Sequence, residues 1–282
     1  MSKCHHTQYV YSASAYGFGA ELERPAKHSI PAQAASVLPA SGGRGNARTS
    51  DFKYDGIISV KDAYTEVGGS YDEDHDLYTT YAYSVLEGVN VADVLTADRV
   101  VARLTIYVDA KNATEERFDI TGSHFENLKI AGHSAGVKLA TDAFHKLQTY
   151  SQVVAGSDKW RAGSKLGGLT KEALADLKHD YHGLPEMSAL VEASKPKAGA
   201  PDRGLYLLSP ANDLEWKDVS SEIKGYGCVI FVPKFGVIRL AEMVVHRYSR
   251  TLTMFRVQMC SGAAGGADGG GTSGSGGGPM GG

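Results

Sequence analysis

Cysteine is scarce in this chain of 282 residues: Cys4, Cys228 and Cys260 are an odd number with no close pair. That spacing excludes a disulfide framework and a cysteine-rich metal site, and it suits a reducing compartment. Long apolar runs are missing as well. Nothing approaches the ~18 consecutive apolar residues of a spanning helix. The opening MSKCHHTQYVYSASAYGFG holds one lysine and no continuous apolar stretch of seven, unlike a secretory signal or a membrane anchor. The expectation is a soluble protein, cytoplasmic by default, without membrane insertion; leaderless export leaves no mark in a sequence. There is no basic excess either. A net charge of -3 with 22% charged residues lacks the cationic surplus that displaces counterions from phosphates, so nucleic acid is not an expected partner. Cys4, His5 and His6 supply too few ligands for tetrahedral zinc, and no cofactor is expected.

What the chain does have is alternation. Around Tyr9, Tyr11, Ala13 and Ala15 apolar and small polar residues alternate, which predicts a strand over 8–23. Pro25, Pro31 and Pro39, followed by Ser41 to Asn46, predict a long irregular or extended connection up to Ser50. Alternation returns over 52–69 and 77–86. Val89 to Val108 reads two ways: Val91, Val94, Val101 and Leu104 fall near helical spacing, while Val100, Ala102, Leu104, Ile106 and Val108 alternate as a strand.

From Val137 the period changes. Leu139, Ala140, Ala143, Phe144, Leu147, Tyr150 and Val154 predict a helix, a second follows Thr170 to Tyr181, and a short piece spans Leu190 to Ala193. Strands are expected again over Leu205–Leu208, Cys228–Val232, Val237–Val245 and Leu252–Met259. Beyond Cys260, 12 of the 22 residues are glycine. Such a segment has no side chains to build a core, so it is expected to be flexible unless packed in an assembly.

The chain therefore divides into an N-terminal strand and extended arm over 1–50, a β domain in two parts over 51–139 and 201–260, a helical insertion over 140–200, and a glycine-rich tail over 261–282. The fold expected is mainly β, an antiparallel sandwich or solenoid-like, with a helical insertion and α+β overall.

Three patterns carry candidate chemistry. Gly132-His133-Ser134-Ala135-Gly136 matches G-x-S-x-G, in which a serine nucleophile sits on a strand-to-helix turn. Asp213 and His246 follow in the order a hydrolase triad requires. Against this, the one His-Gly pair, His182-Gly183, lies downstream of the serine, the strands before it lack intervening helices, and His246 falls inside an expected strand. Asp72, Asp74 and Asp76 occupy the first, third and fifth places of a calcium loop, but Leu77 and Tyr83 stand where it needs glycine and glutamate, so a solvated hairpin tip is expected over a weak cation site. Tyr9, Tyr11, Tyr16 and Phe18 are either assembly anchors on the N-terminal arm or ordinary core residues of a strand. Tyr78, Tyr81 and Tyr83 could offer aromatic faces to a ligand.

Two resemblances bear on these patterns. Residues 130–140, IAGHSAGVKLA, look like the nucleophile region of esterases related to hormone-sensitive lipase, which implies an α/β-hydrolase-like serine esterase using Ser134, Asp213 and His246. The phrases EGVNV at 87–91, LTADRVVA at 95–102, GSHFENLKIAG at 122–132, VPKFGVI at 232–238 and LTMF at 252–255 are similar to uncharacterised bacterial β-rich proteins of the choice-of-anchor P group. In those proteins the stretch around NLKIAGH is strand, turn and strand, and the resemblance brings no catalytic residues. The tyrosine-rich alternating strands with edges open to pairing, the extended arms at the start and over 25–50, and the glycine tail favour a structural, self-associating subunit without catalytic activity, partnered by copies of itself in an assembly or filament. The esterase is the alternative.

Overall fold

The computed structural model describes residues 9–22, 27–111, 115–139, 147–161, 205–226, 229–259 and 265–276. From the N-terminus come β1 (Tyr11–Leu22), β2 (His28–Gln33), β3 (Ser36–Val37), β4 (Gly43–Tyr54), β5 (Ile58–Asp72), β6 (Leu77–Val91) and β7 (Leu95–Asp109). Four short strands follow, β8 (Arg117–Asp119), β9 (His124–Glu126), β10 (Lys129–Ile130) and β11 (His133–Leu139), and then the helix α1 (Tyr150–Arg161). The remainder is β12 (Leu205–Leu208), β13 (Ala211–Trp216), β14 (Lys224–Tyr226), β15 (Val229–Val232), β16 (Gly236–His246), β17 (Ser249–Met259) and β18 (Gly265–Gly276).

These strands form two nine-stranded sheets. The first has the order β14-β15-β16-β17-β18-β1-β2, with β12 beside β16 and β3 beside β1; the second runs β13-β11-β10-β7-β6-β5-β4, with β8 and β9 beside β7. Neighbours are antiparallel, and β4 to β7 are joined by short turns with positive φ, such as Asp55 and Gly56, or Ala92 and Asp93, where glycine and aspartate tolerate the left-handed region better than Ala92 does. The inner faces meet in one core that includes Phe18, Leu86, Leu104, Ile106, Leu240 and Phe255. The architecture is the expected antiparallel sandwich, and the solenoid-like alternative is not what forms.

The alternation has a phase slip at the same level of both sheets. Consecutive inward residues are three apart at Ala15 and Phe18 in β1, Val60 and Ala63 in β5, Leu86 and Val89 in β6, Ala97 and Val100 in β7, Leu240 and Met243 in β16, and Leu252 and Phe255 in β17, all buried. Between them one residue on each strand is passed over without changing the register, as at Gly88 between β6 and β7 or Ala241 between β16 and β17. Positive φ falls on Asp51, Gly88, Ala241 and Gly270, on alternate strands of this line. Paired bulges of this kind bend a sheet while keeping its ladder.

Three expectations are corrected. Residues 27–50 are not an irregular connection, since β2, β3 and most of β4 lie there. Pro31 fits because β2 is outermost in its sheet, where one missing N–H costs no ladder bond. The helix expected from Val137 begins later: Val137 to Leu139 belong to β11, paired with β13, and α1 starts at Tyr150 with Val153 buried. The helices expected at 170–181 and 190–193 lie outside the described residues. The glycine tail is the third correction. Residues 265–276 are the strand β18, inside the first sheet between β17 and β1.

Candidate functional site

Local physics at the serine motif gives a hairpin. Ala131 and Gly132 take φ of 49° and 82°, the two positive values of a tight turn that suits strand twist, and Ile130 then faces His133 while Lys129 faces Ser134. Ser134 is exposed on β11, and its carbonyl accepts Lys217 N–H at 3.1 Å. A nucleophile elbow puts serine on the turn and a helix after it; here the turn precedes the serine and a strand follows. Asp213 faces Lys138, four residues further along β11, about 13 Å from the level of Ser134 at ~3.3 Å per residue. His246 closes β16 in the other sheet, opposite Leu205 and Ser249, and its Nδ1 accepts Tyr248 N–H at 3.3 Å. The three residues are not brought together.

The acidic loop is the tip of the β5–β6 hairpin, and its carboxylates are turned to protein partners. Asp72 Oδ1 accepts the N–H groups of Asp74 and His75 at 3.0 and 3.2 Å, and its Oδ2 lies 2.8 Å from His75 Nδ1. Asp76 pairs with Lys111 and accepts the Tyr71 hydroxyl at 2.7 Å. These partners hold both carboxyls below the usual carboxylate range, through His75 for Asp72 and through Lys111 and then Tyr71 for Asp76. The Tyr71 hydroxyl is pushed up to about 12, first by its bond to Asp76. Among the described residues, no three His, Cys, Asp or Glu side chains stand together to hold a metal.

The N-terminal aromatics are packed against the sheets, Tyr11 and Phe18 buried and Tyr9 and Tyr16 half-buried, which corrects the idea of a free arm. Tyr9 stacks on Tyr78 at 4.0 Å, and Phe18 meets Phe52 at 4.9 Å. Tyr16 lies across Gly271. Tyr78 thus belongs to an internal cluster, whereas Tyr81 bonds Glu66 at 2.5 Å and Tyr83 meets Tyr64 edge-on at 5.8 Å. Burial raises the hydroxyl pKa of Tyr81 and Tyr83, with Glu66 and Tyr64 adding to it.

Two further features follow from the strand order. The first is charge at the margins of the second sheet. Its outermost strand β4 carries Arg44, Arg48 and Lys53 against Asp51, so 3 minus 1 gives +2; the strand at the opposite margin, β13, carries Asp213 and Glu215, giving -2. Part of this charge is already held within the chain: Arg48 grips Asp62 with Nε and Nη2 at 2.9 and 2.8 Å, and Glu215 pairs with Lys138. The Arg48 guanidinium and the Ser50 hydroxyl hold the Asp62 carboxyl below its usual range.

The second feature is the slot that β18 fills. β18 faces β1 from Tyr11↔Gly276 to Leu22↔Gly265 and faces β17 from Arg250↔Gly274 to Met259↔Gly265. A Cβ on Gly271 would enter the Tyr16 ring, and one on Gly269 would enter the Phe255 ring and come 3.0 Å from Leu86 Cδ1. At Gly274 it would come 2.9 Å from Ile106 Cδ1. Rings from flanking strands thus occupy the space glycine leaves, which pins register and covers bare backbone. With so little side-chain volume between them, Cα atoms of β18 come within 8 Å of those of β6 and β7 in the facing sheet, closer than the ~10 Å of ordinary stacked sheets. The sequence signal for this slot was the glycine run together with distant aromatics, which composition alone cannot connect. The charge signal was available once β4 and β13 were known to be margins.

A family model described as Domain of unknown function (DUF8256) matches residues 9–246, and the chain belongs to that family. No curated protein matches the chain, and no solved structure matches it. Among the described residues no helix is long and apolar enough to cross a membrane.

Proposed function

We propose that this chain is a structural, self-associating subunit that joins copies of itself along the margins of its second sheet. The observation that carries this reading is the opposite charge of the two outermost strands, β4 at +2 and β13 at -2, or +1 and -1 once Arg48 and Glu215 are set aside as paired within the chain. An outermost strand presents unpaired N–H and C=O groups and is a template for another strand unless it is blunted. When the two margins differ in sign, β4 of one copy is attracted to β13 of the next and repelled by another β4, so the contact is head-to-tail. Head-to-tail contacts that do not close into a ring extend as filaments. Charge supplies orientation and rate of encounter, and the backbone ladder supplies most of the affinity.

The test is charge reversal at one margin. The double variant Arg44→Glu, Lys53→Glu leaves the Arg48–Asp62 pair intact and is expected to abolish light scattering by concentrated protein at low salt. An Asp213→Lys, Glu215→Lys variant should be equally silent alone, and mixing the two should restore scattering, because β4 and β13 are then of opposite sign in every contact between unlike variants. Undiminished scattering by the β4 variant alone contradicts the reading.

A further inference from the structure

We propose that the slot between β1 and β17 is a binding site for a glycine-rich extended strand, and that β18 of a second copy of this chain fills it in exchange for the chain's own. This goes beyond charge-directed association of the margins, because it names a different site and a different occupant.

The occupant is visible: β18 sits in the slot, with backbone pairing on both sides along its length. Seven of its twelve residues are glycine, so what the slot recognises is backbone plus the absence of Cβ atoms under Tyr16, Phe255 and Ile106. Gly270 adds a further demand, because its φ of 68° favours glycine and a Cβ there would press on Met254 Cγ at 3.0 Å. Such a site is selective for glycine at fixed places and indifferent to which copy supplies it, since every copy carries the same strand.

The link to β18 makes exchange accessible: residues 260–264 alone separate it from β17 in the sequence. Short links between paired strands are where an element is traded between protomers, because an extended link carries the strand to a neighbour while preserving every contact in the slot. Withdrawing β18 leaves β1 and β17 with unpaired edges in the middle of the first sheet, and each open slot then requires a strand of this composition. The structure offers β18 of another copy as the strand that meets it.

Ser14 on β1 faces Ser273 on β18, which allows a covalent readout in the full chain. A Ser14→Cys chain and a Ser273→Cys chain of different mass are mixed at high concentration with oxidised glutathione, with the unsubstituted chain as control for Cys4, Cys228 and Cys260. The expected result is a disulfide-linked pair of unlike chains that increases with concentration and is lost when Gly271→Val is added to the Ser273→Cys chain. The double variant should form the bond within one chain. A bond within the double variant but none between unlike chains overturns exchange, as does a between-chain bond that ignores Gly271→Val. If unlike chains fail to link while large species persist at low salt, exchange fails and association through the margins stands. If linked pairs form and nothing larger does, exchange stands and the margin reading fails.

Discussion

Tyr71 and Asp62 show how individual groups are tuned by their hydrogen-bonding neighbours. The Tyr71 hydroxyl donates to Asp76, so losing its proton would set two negative oxygens side by side, and its pKa rises to about 12. Asp76→Asn should bring Tyr71 back towards the ordinary tyrosine value of ~10, read by ultraviolet titration; no change would mean that Asp76 is not the cause. Asp62 works in the opposite sense. Its folded pKa lies below the ordinary value of 3.8 because Arg48 and Ser50 favour the charged form. Its contribution to stability is therefore complete above that value and is lost as pH falls through the lower folded pKa. Denaturation of wild type and Asp62→Asn between about pH 5 and about pH 2 should show a gap that narrows in acid, and a constant gap would contradict the pairing. At this scale the acidic loop was legible as a hairpin tip from its missing glycine and glutamate. The partners Lys111 and His75 were not, since nothing in the spacing says which way a carboxylate turns.

Strands explain why some elements were readable and others were not. β5, β6, β7, β16 and β17 announce themselves by alternation, but Val91 ends β6 and Val94 lies in the turn after it, while Val101 and Leu104 are three apart within β7, and these helix-like steps are why Val89 to Val108 supported both readings. β18 was illegible because its stabilisation resides in Tyr16 and Phe255 on other strands; its own residues look like a linker. A Val at Gly271 should cost about 1–3 kcal/mol, the range for overpacking, lowering the melting temperature by about 2–4 °C per kcal/mol. Gly136→Ala is the control, within about 0.5 kcal/mol of wild type, because its Cβ would meet Glu215 at an ordinary 3.4 Å. Equal melting temperatures for the two variants would contradict the ring-over-glycine account. β17 also buries Arg250, fully covered, bonded to Glu116 at 2.6 Å, with Nε and Nη2 lacking hydrogen-bond partners. Desolvation depresses its pKa despite Glu116. Glu116→Ala should destabilise by about 3–5 kcal/mol by stranding that charge, whereas Arg250→Met should be close to neutral. The reverse order in urea denaturation would show that the pair is a net stabiliser.

At the scale of the whole molecule, sandwich class followed from the sequence because alternating strands and turn residues recur along most of the chain. Sheet membership did not follow, because β1 and β18 come from opposite ends and meet in one sheet. The same fact alters how association is tested: deleting 1–20 or 261–282 removes a middle strand, so such truncations report folding as much as assembly. Margins of opposite sign on a chain of net charge -3 make association sensitive to salt, since exposed charges are screened beyond ~8–10 Å at physiological ionic strength. Sedimentation velocity of the intact chain over a wide concentration range, at low and at high salt, is the direct measurement. Self-association predicts species far above 30.0 kDa that grow with concentration and shrink as salt rises, and a 30.0 kDa monomer at every concentration and salt would contradict it.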